Sequence, residues 1–283
     1  MTTDTYIIRT MNRDDLKHAV NWAAAEGWNP GLHDADCFYA ADPDGFLVGE
    51  LDGEPIACIS VVSYGETFAF LGFYIVKPAF RGRGYGLRIW KAGLERLSGR
   101  CIGLDGVVDQ QANYKKSGFD LAYRNIRFQG VTGGEPKENP MLCPLADLPF
   151  EQVTDYDRKF FPAERSSFLR AWIQQPDGEA LALLPNGVLS GMGVIRPCRE
   201  GFKIGPLFAE TPEFTETLYG ALVARVPPGQ PVLLDVPESN PAAQALAERH
   251  RMKVVFETAR MYAGRAPSIP LDGLFGVTSF ELG

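Results

Sequence analysis

The chain has 283 residues, 45% hydrophobic and 22% charged, enough apolar material for one large core or two modest ones. Its net charge of −7 argues against a general nucleic-acid binder, which carries a basic excess, and is compatible with a cationic small ligand. Five scattered cysteines without a CxxC pair, three isolated histidines and no apolar run near the ~20 residues of a membrane span predict reduced thiols, no metal site, no membrane partner and a cytoplasmic location.

Residues 6–9 read as a short strand. Asn12 is placed to cap a helix whose apolar residues Leu16, Ala19, Val20 and Ala23 recur at helical spacing. That helix is expected to end near Glu26-Gly27, before the loop Trp28-Asn29-Pro30-Gly31. Residues 46–51 and 56–63 flank Asp52-Gly53, a dipeptide suited to the tight turn of a hairpin. Residues 68–76 form a further apolar strand, followed by Pro78-Ala79-Phe80-Arg81-Gly82-Arg83-Gly84-Tyr85-Gly86. Leu87, Trp90, Leu94 and Leu97 then mark one helix face, with Arg88, Lys91, Glu95 and Arg96 off it. A strand beginning at 102–104, a short helix near 110–116 and a strand over 119–128 complete a mixed αβ order with several adjacent strands. The stretch 130–140, with three glycines and two prolines, reads as a linker between domains at 1–130 and 141–283.

The glycine turn asks for a ligand. A strand that ends in such a turn before a helix aims backbone N–H groups and the positive helix end into one concave space. Arg81 and Arg83 add charge that suits phosphate oxygens. GxxxxGK[ST] is absent, and GxGxxG is missed because position 87 is Leu.

The run Val76-x-Pro78-x-x-Arg81-Gly82-x-Gly84-x-Gly86 resembles the acetyl-CoA loop of the GNAT N-acyltransferases. Tyr114-Lys115-Lys116-Ser117-Gly118-Phe119 is similar to that family's downstream Tyr-x-x-x-Gly-Phe segment. The resemblance covers about residues 5–128, and the loop at 26–31 with the tandem layout resembles a bacterial two-domain subgroup. It implies a fold of tandem α+β units, each a twisted, mixed and largely antiparallel sheet flanked by helices. It also implies that amides of Arg81, Gly82, Arg83, Gly84, Tyr85 and Gly86 cradle the diphosphate of acetyl-CoA as co-substrate. Tyr74, Ile75 and Val76 would meet the thioester and pantetheine arm at the splayed end of their strand. Where many members carry asparagine seven residues before the tyrosine, this chain has Val107, and Asn113 is the candidate substitute.

Acyl transfer to an amine needs a neutral nitrogen, a stabilised oxyanion and a protonated leaving thiolate. The resemblance places Tyr114 beside the sulfur as the acid. Asp105 is a base acting through water or else a turn-capping carboxylate before Gly106; Glu26 and Trp28 sit where the family builds its acceptor pocket; His33 is a polar loop residue. The expected activity is acetylation of a small primary amine. Other acyl donors, a protein lysine or N-terminus as acceptor, and a non-catalytic acyl-CoA sensor are the alternatives.

The second half echoes the first. Gly118 to Arg127 and Arg251 to Arg260 each span nine positions, Leu104-Asp105 answers Leu234-Asp235, and Asp52-Gly53 answers Asn186-Gly187. Pro78-Ala79-Phe80 and Tyr85-Gly86 align with Pro212-Glu213-Phe214 and Tyr219-Gly220. Between them Arg81, Gly82, Arg83 and Gly84 become Thr215, Glu216, Thr217 and Leu218, so a carboxylate is expected in the anion site of a copy that binds no CoA.

Overall fold

The alternating apolar pattern becomes strand and helix in the order that turn chemistry dictates. The computed structural model describes residues 5–135 and 138–283; Pro136 and Lys137 of the predicted linker lie outside the described residues. The first half runs β1 (Tyr6–Thr10), α1 (Leu16–Ala25), α2 (Asp34–Ala41), β2 (Phe46–Leu51), β3 (Glu54–Tyr64), β4 (Phe68–Val76), α3 (Tyr85–Arg96), β5 (Cys101–Val107), α4 (Gln111–Lys116) and β6 (Phe119–Val131). The second runs β7 (Leu142–Pro144), α5 (Phe150–Asp157), α6 (Ser166–Ile173), β8 (Glu179–Leu183), β9 (Gly191–Pro197), β10 (Phe202–Ala209), α7 (Pro212–Val223), β11 (Pro231–Pro237), α8 (Pro241–Arg249), β12 (Lys253–Ala263) and β13 (Leu274–Gly276).

The expected sequence echo is geometric. Asp52-Gly53 and Asn186-Gly187 all have positive φ, the signature of a tight turn between strands, and join β2 to β3 and β8 to β9. Gly118 and Arg251, which open the two nine-residue spans, share positive φ as well, at 88° and 54°.

The halves form one 13-stranded sheet in the order β1-β2-β3-β4-β5-β12-β6-β11-β10-β9-β8-β7, with β13 beside β10. They exchange strands. β12 of the second half lies against β5, and β6 of the first lies against β11. Each exchange sets an arginine opposite an aspartate: Arg260 against Asp105, and Arg127 against Asp235. Both pairs are bidentate, at 2.6–2.8 Å, and sealed from water.

On α3 the predicted Trp90 and, at its C-cap, Leu97 are buried and Leu94 is half-buried against the same core, whereas Leu87 is exposed and Ile89 and Gly93 complete the buried face in its place. Gly93 lets the helix settle on β3, since a methyl there would stand 2.9 Å from Val61. Asn12 does not cap α1 directly; in the turn ahead of it the Asn12 amide donates to the Asp15 carboxylate and the Asp15 amide to the Asn12 side-chain oxygen, each at 2.9 Å. α2 was not anticipated. It packs on α6 through Phe38, stacked on Trp172 at 6.0 Å between ring centres, inside a core shared by both halves. Asp34 of α2 pairs with the buried Arg196 of β9 at 2.8 Å and fixes the same junction.

Candidate active site

β4 builds the site by losing register. Ser60 faces Gly72 and Cys58 faces Ile75, so Phe73 and Tyr74 stand against Ile59 alone, a bulge. Phe73 takes φ = 45°, a conformation rarely tolerated by a bulky residue. Toward β5, the parallel pairing ends at Leu71–Leu104. Residues 73–76 therefore diverge from β5 without a strand partner on that side.

A cleft of about 600 Å3 opens in the divergence. Tyr74, Ile75 and Val76 line one wall, and Leu104, Asp105, Gly106 and Val107 the other. Arg81, Gly82, Gly84 and Gly86 contribute from the glycine turn, Glu26 and Trp28 from the loop after α1, and Tyr114 from α4. Phe256 and Thr258 of β12, with Phe280 and Glu281 of the C-terminal segment, complete the lining.

The turn is shaped by positive φ at Gly82 (73°) and Gly84 (85°), the latter immediately before α3. Arg88 is the first amide of α3 to reach a main-chain acceptor in this turn, the Gly84 carbonyl at 3.2 Å. The Tyr85, Gly86 and Leu87 amides before it are the open donors of a helix start, while the Arg81 amide is bonded to the Pro78 carbonyl. Arg81 donates to the Val76 carbonyl at 2.8 Å and pairs with Glu26, so these two predicted site residues meet across the cleft. Arg83 instead stacks over Phe80 and Tyr85, and Tyr85 packs on Tyr6 with ring centres 4.8 Å apart. Arg83, Tyr85 and Asn113 are outside the cleft lining. Asn113 bonds to Gln110 and Lys116 on the exposed side of α4.

Tyr114 is buried, with its ring stacked on Trp90 at 5.5 Å. Its seat depends on Gly106, because a methyl there would lie 2.1 Å from the Tyr114 ring. Burial, assisted by nearby Tyr74, pushes the phenol up to about 12, which keeps the hydroxyl a proton donor at neutral pH.

Asp105 is corrected. Its carboxylate is sealed, accepting two bonds from Arg260 and one of 2.8 Å from Asn125. It neither faces a water path nor caps a turn; it fastens the exchanged strand. Trp28 lines the cleft while its indole packs on the central core, and its carbonyl accepts from Arg127 at 2.8 Å. His33 reaches Asp177 at 3.2 Å, away from the cleft. Phe256, Thr258, Phe280 and Glu281 were missed because they arrive from the second half.

That half has no comparable turn. α7 begins at Pro212 itself, so Thr215–Leu218 are helical where the first half has Arg81–Gly84. Thr211 already accepts from the Phe214 amide. Glu216 does not enter an anion site; it pairs with Arg249 and His250 at 2.8 and 2.5 Å. No helix among the described residues is long and apolar enough to cross a membrane.

Residues 13–119 match the acetyltransferase (GNAT) family, and residues 153–276 match an acetyltransferase (GNAT) domain. The holothin acyltransferase of Pseudoalteromonas sp. (strain SANK 73390) is 31% identical over 279 residues, 99% of this chain and 95% of that protein. The uncharacterized N-acetyltransferase YitH of Bacillus subtilis (strain 168) is 24% identical over 198 residues, 67% of each chain. Among solved structures, a putative acetyltransferase from Pyrococcus horikoshii superposes with a TM-score of 0.84 at 24% identity, covering 100% of this chain and 98% of that one. A tandem GNAT protein from the clavulanic acid biosynthesis pathway gives 0.64 at 13% identity, covering 93% and 100%. With the diverging strands, the glycine turn and the repeated half in view, the chain belongs to the tandem GNAT acyltransferases, enzymes that draw on an acyl-CoA donor.

Proposed function

We propose that this acyltransferase moves an acetyl group from acetyl-CoA to a small primary amine by direct attack within a ternary complex. The carrying observation is that one cleft gathers the open amides at the start of α3, the main chain of residues 73–76 left without a partner toward β5, and the hydroxyl of the buried Tyr114. A diphosphate fits the first, a thioester carbonyl the second, and a departing thiolate the third. Arg81 holds the turn against Val76, and Glu26 exchanges its partner when a phosphate arrives.

The nitrogen bonds to the thioester carbon, a main-chain amide of residues 73–76 stabilises the oxyanion, and the carbon–sulfur bond breaks. Tyr114 gives its proton to the sulfur. A sensor would need no such donor, which favours an enzyme. The second half, with a continuous helix in place of the turn, supports binding of one carrier per chain. Its contribution is the far wall of the acceptor space.

Holothin heads the amine panel, because a relative sharing almost the whole length is named for acylating it. The test is thiol release from acetyl-CoA with holothin, spermidine, benzylamine and a lysine peptide. Turnover of a small amine supports the proposal; turnover of the peptide alone makes the chain a protein acetyltransferase; acetyl-CoA binding without any transfer makes it a sensor.

A further inference from the structure

We propose that Glu281, carried into the cleft by the C-terminal segment, is the base that takes the proton from the attacking amine; this rests on the acyl-transfer reading above. The segment 277–283 is buried throughout. Tyr64 donates to the Leu282 carbonyl, and Arg165 to the Gly283 carbonyl and the Thr278 hydroxyl, each at 3.0 Å. The backbone of Glu281 touches β4 at the bulge: a methyl on Gly72 would stand 2.2 Å from the Glu281 carbonyl oxygen. Glu281 is thus anchored two residues from Tyr74, where the thioester is expected.

Its carboxylate is unlike the other buried acids. Asp34, Asp105, Asp157 and Asp235 are each clamped by an arginine, at 2.6–2.8 Å. Glu281 is 3% exposed, lines the cleft, and among the described residues its side chain accepts no hydrogen bond and forms no ion pair. A deeply buried carboxylate without a donor is costly, and such a group facing a cleft of this size has an incoming ligand as its natural partner. The charged groups around it at longer range are Lys203 of β10, Arg127 of β6, Arg196 of β9 and Asp34 of α2. Burial outweighs the three cations and raises the Glu281 carboxyl above the ordinary carboxylate range.

The step balances. As the free amine nitrogen bonds to the thioester carbon, one of its protons passes to Glu281. The carbon–sulfur bond breaks, the sulfur takes the Tyr114 proton, and the proton on Glu281 returns through solvent to the phenolate. Amide and thiol leave with the chain restored. An amine that arrives protonated first gives its extra proton to solvent.

The test follows thiol release by the full chain with acetyl-CoA and holothin, spermidine or benzylamine, across about pH 5 to 9. Glu281→Gln is expected to lower kcat/KM by about 10²–10⁴ and erase its acidic limb, with acetyl-CoA affinity unchanged in calorimetry. Glu281→Asp is expected to restore the limb and part of the rate. A merely charge-balancing role would alter melting temperature and leave the limb in place. A Glu281→Gln chain with the wild-type rate and limb overturns the assignment. Should that variant not fold, carbon NMR of Glu281 in the wild type decides: a carboxyl that titrates with the limb supports it, and one that does not overturns it. A wild type that neither binds acetyl-CoA nor acetylates any of the three amines overturns the acyl-transfer reading itself.

Discussion

Tyr114 carries its proton because of what surrounds it. Trp90 and the notch at Gly106 hold the ring, and burial raises the phenol to about 12. Tyr114→Phe removes only the hydroxyl, so kcat should fall by about 10²–10⁴ while acetyl-CoA affinity stays near wild type, as steady-state kinetics and calorimetry would report. Wild-type turnover in that variant would remove Tyr114 from the chemistry. Tyr6 and Tyr219 are likewise raised to about 12 by burial. Against an unfolded phenol near 10, the native chain binds the extra protons between about pH 10 and 12, so unfolding free energy is complete below that window and declines through it. The urea midpoint should therefore drop across about pH 10 to 12. The glycine turn and Tyr114 were legible because their neighbours in sequence are their neighbours in space. Glu281 was not, since nothing near it along the chain shows that its backbone comes to rest on Gly72.

At the scale of elements, the two arginine–aspartate pairs are the fastenings of the strand exchange. Both are sealed, so loss of one partner strands a charge. Asp235→Ala should cost about 3–5 kcal/mol in urea unfolding, and replacing Arg127 and Asp235 together by Met and Leu should recover most of it. An additive pair of losses would mean that the two residues do not act as a unit. The sequence contained half of this arrangement. The matched spacings ending at Arg127 and Arg260, and the matched Leu-Asp pairs, showed a repeat with recurring turns. They could not show that each arginine crosses to the other copy's aspartate, because spacing is blind to which sheet a strand joins. Asp105 was misread for that reason, its partner lying on β12. α2 escaped notice because its acidic start and weak apolar stripe resemble a loop, and tertiary packing of Phe38 on Trp172 makes the helix.

Across the whole molecule, the exchanged strands and the shared aromatic core tie the halves into one folding unit. Urea should unfold the chain in one transition, with tyrosine fluorescence and circular dichroism coincident; two separated transitions would show that the halves are independent despite the exchange. The same architecture divides labour. The first half offers the glycine turn, and the second closes the cleft with β12 and the C-terminal segment while its own helix fills the matching position. Titration of the chain with acetyl-CoA in a calorimeter tests this most directly. One carrier per chain is expected, with binding lost when Gly84, held at a φ of 85°, is replaced by Val. Two carriers per chain, or one that binds undiminished to the Gly84→Val variant, would contradict a diphosphate gripped by the turn at residues 81–86.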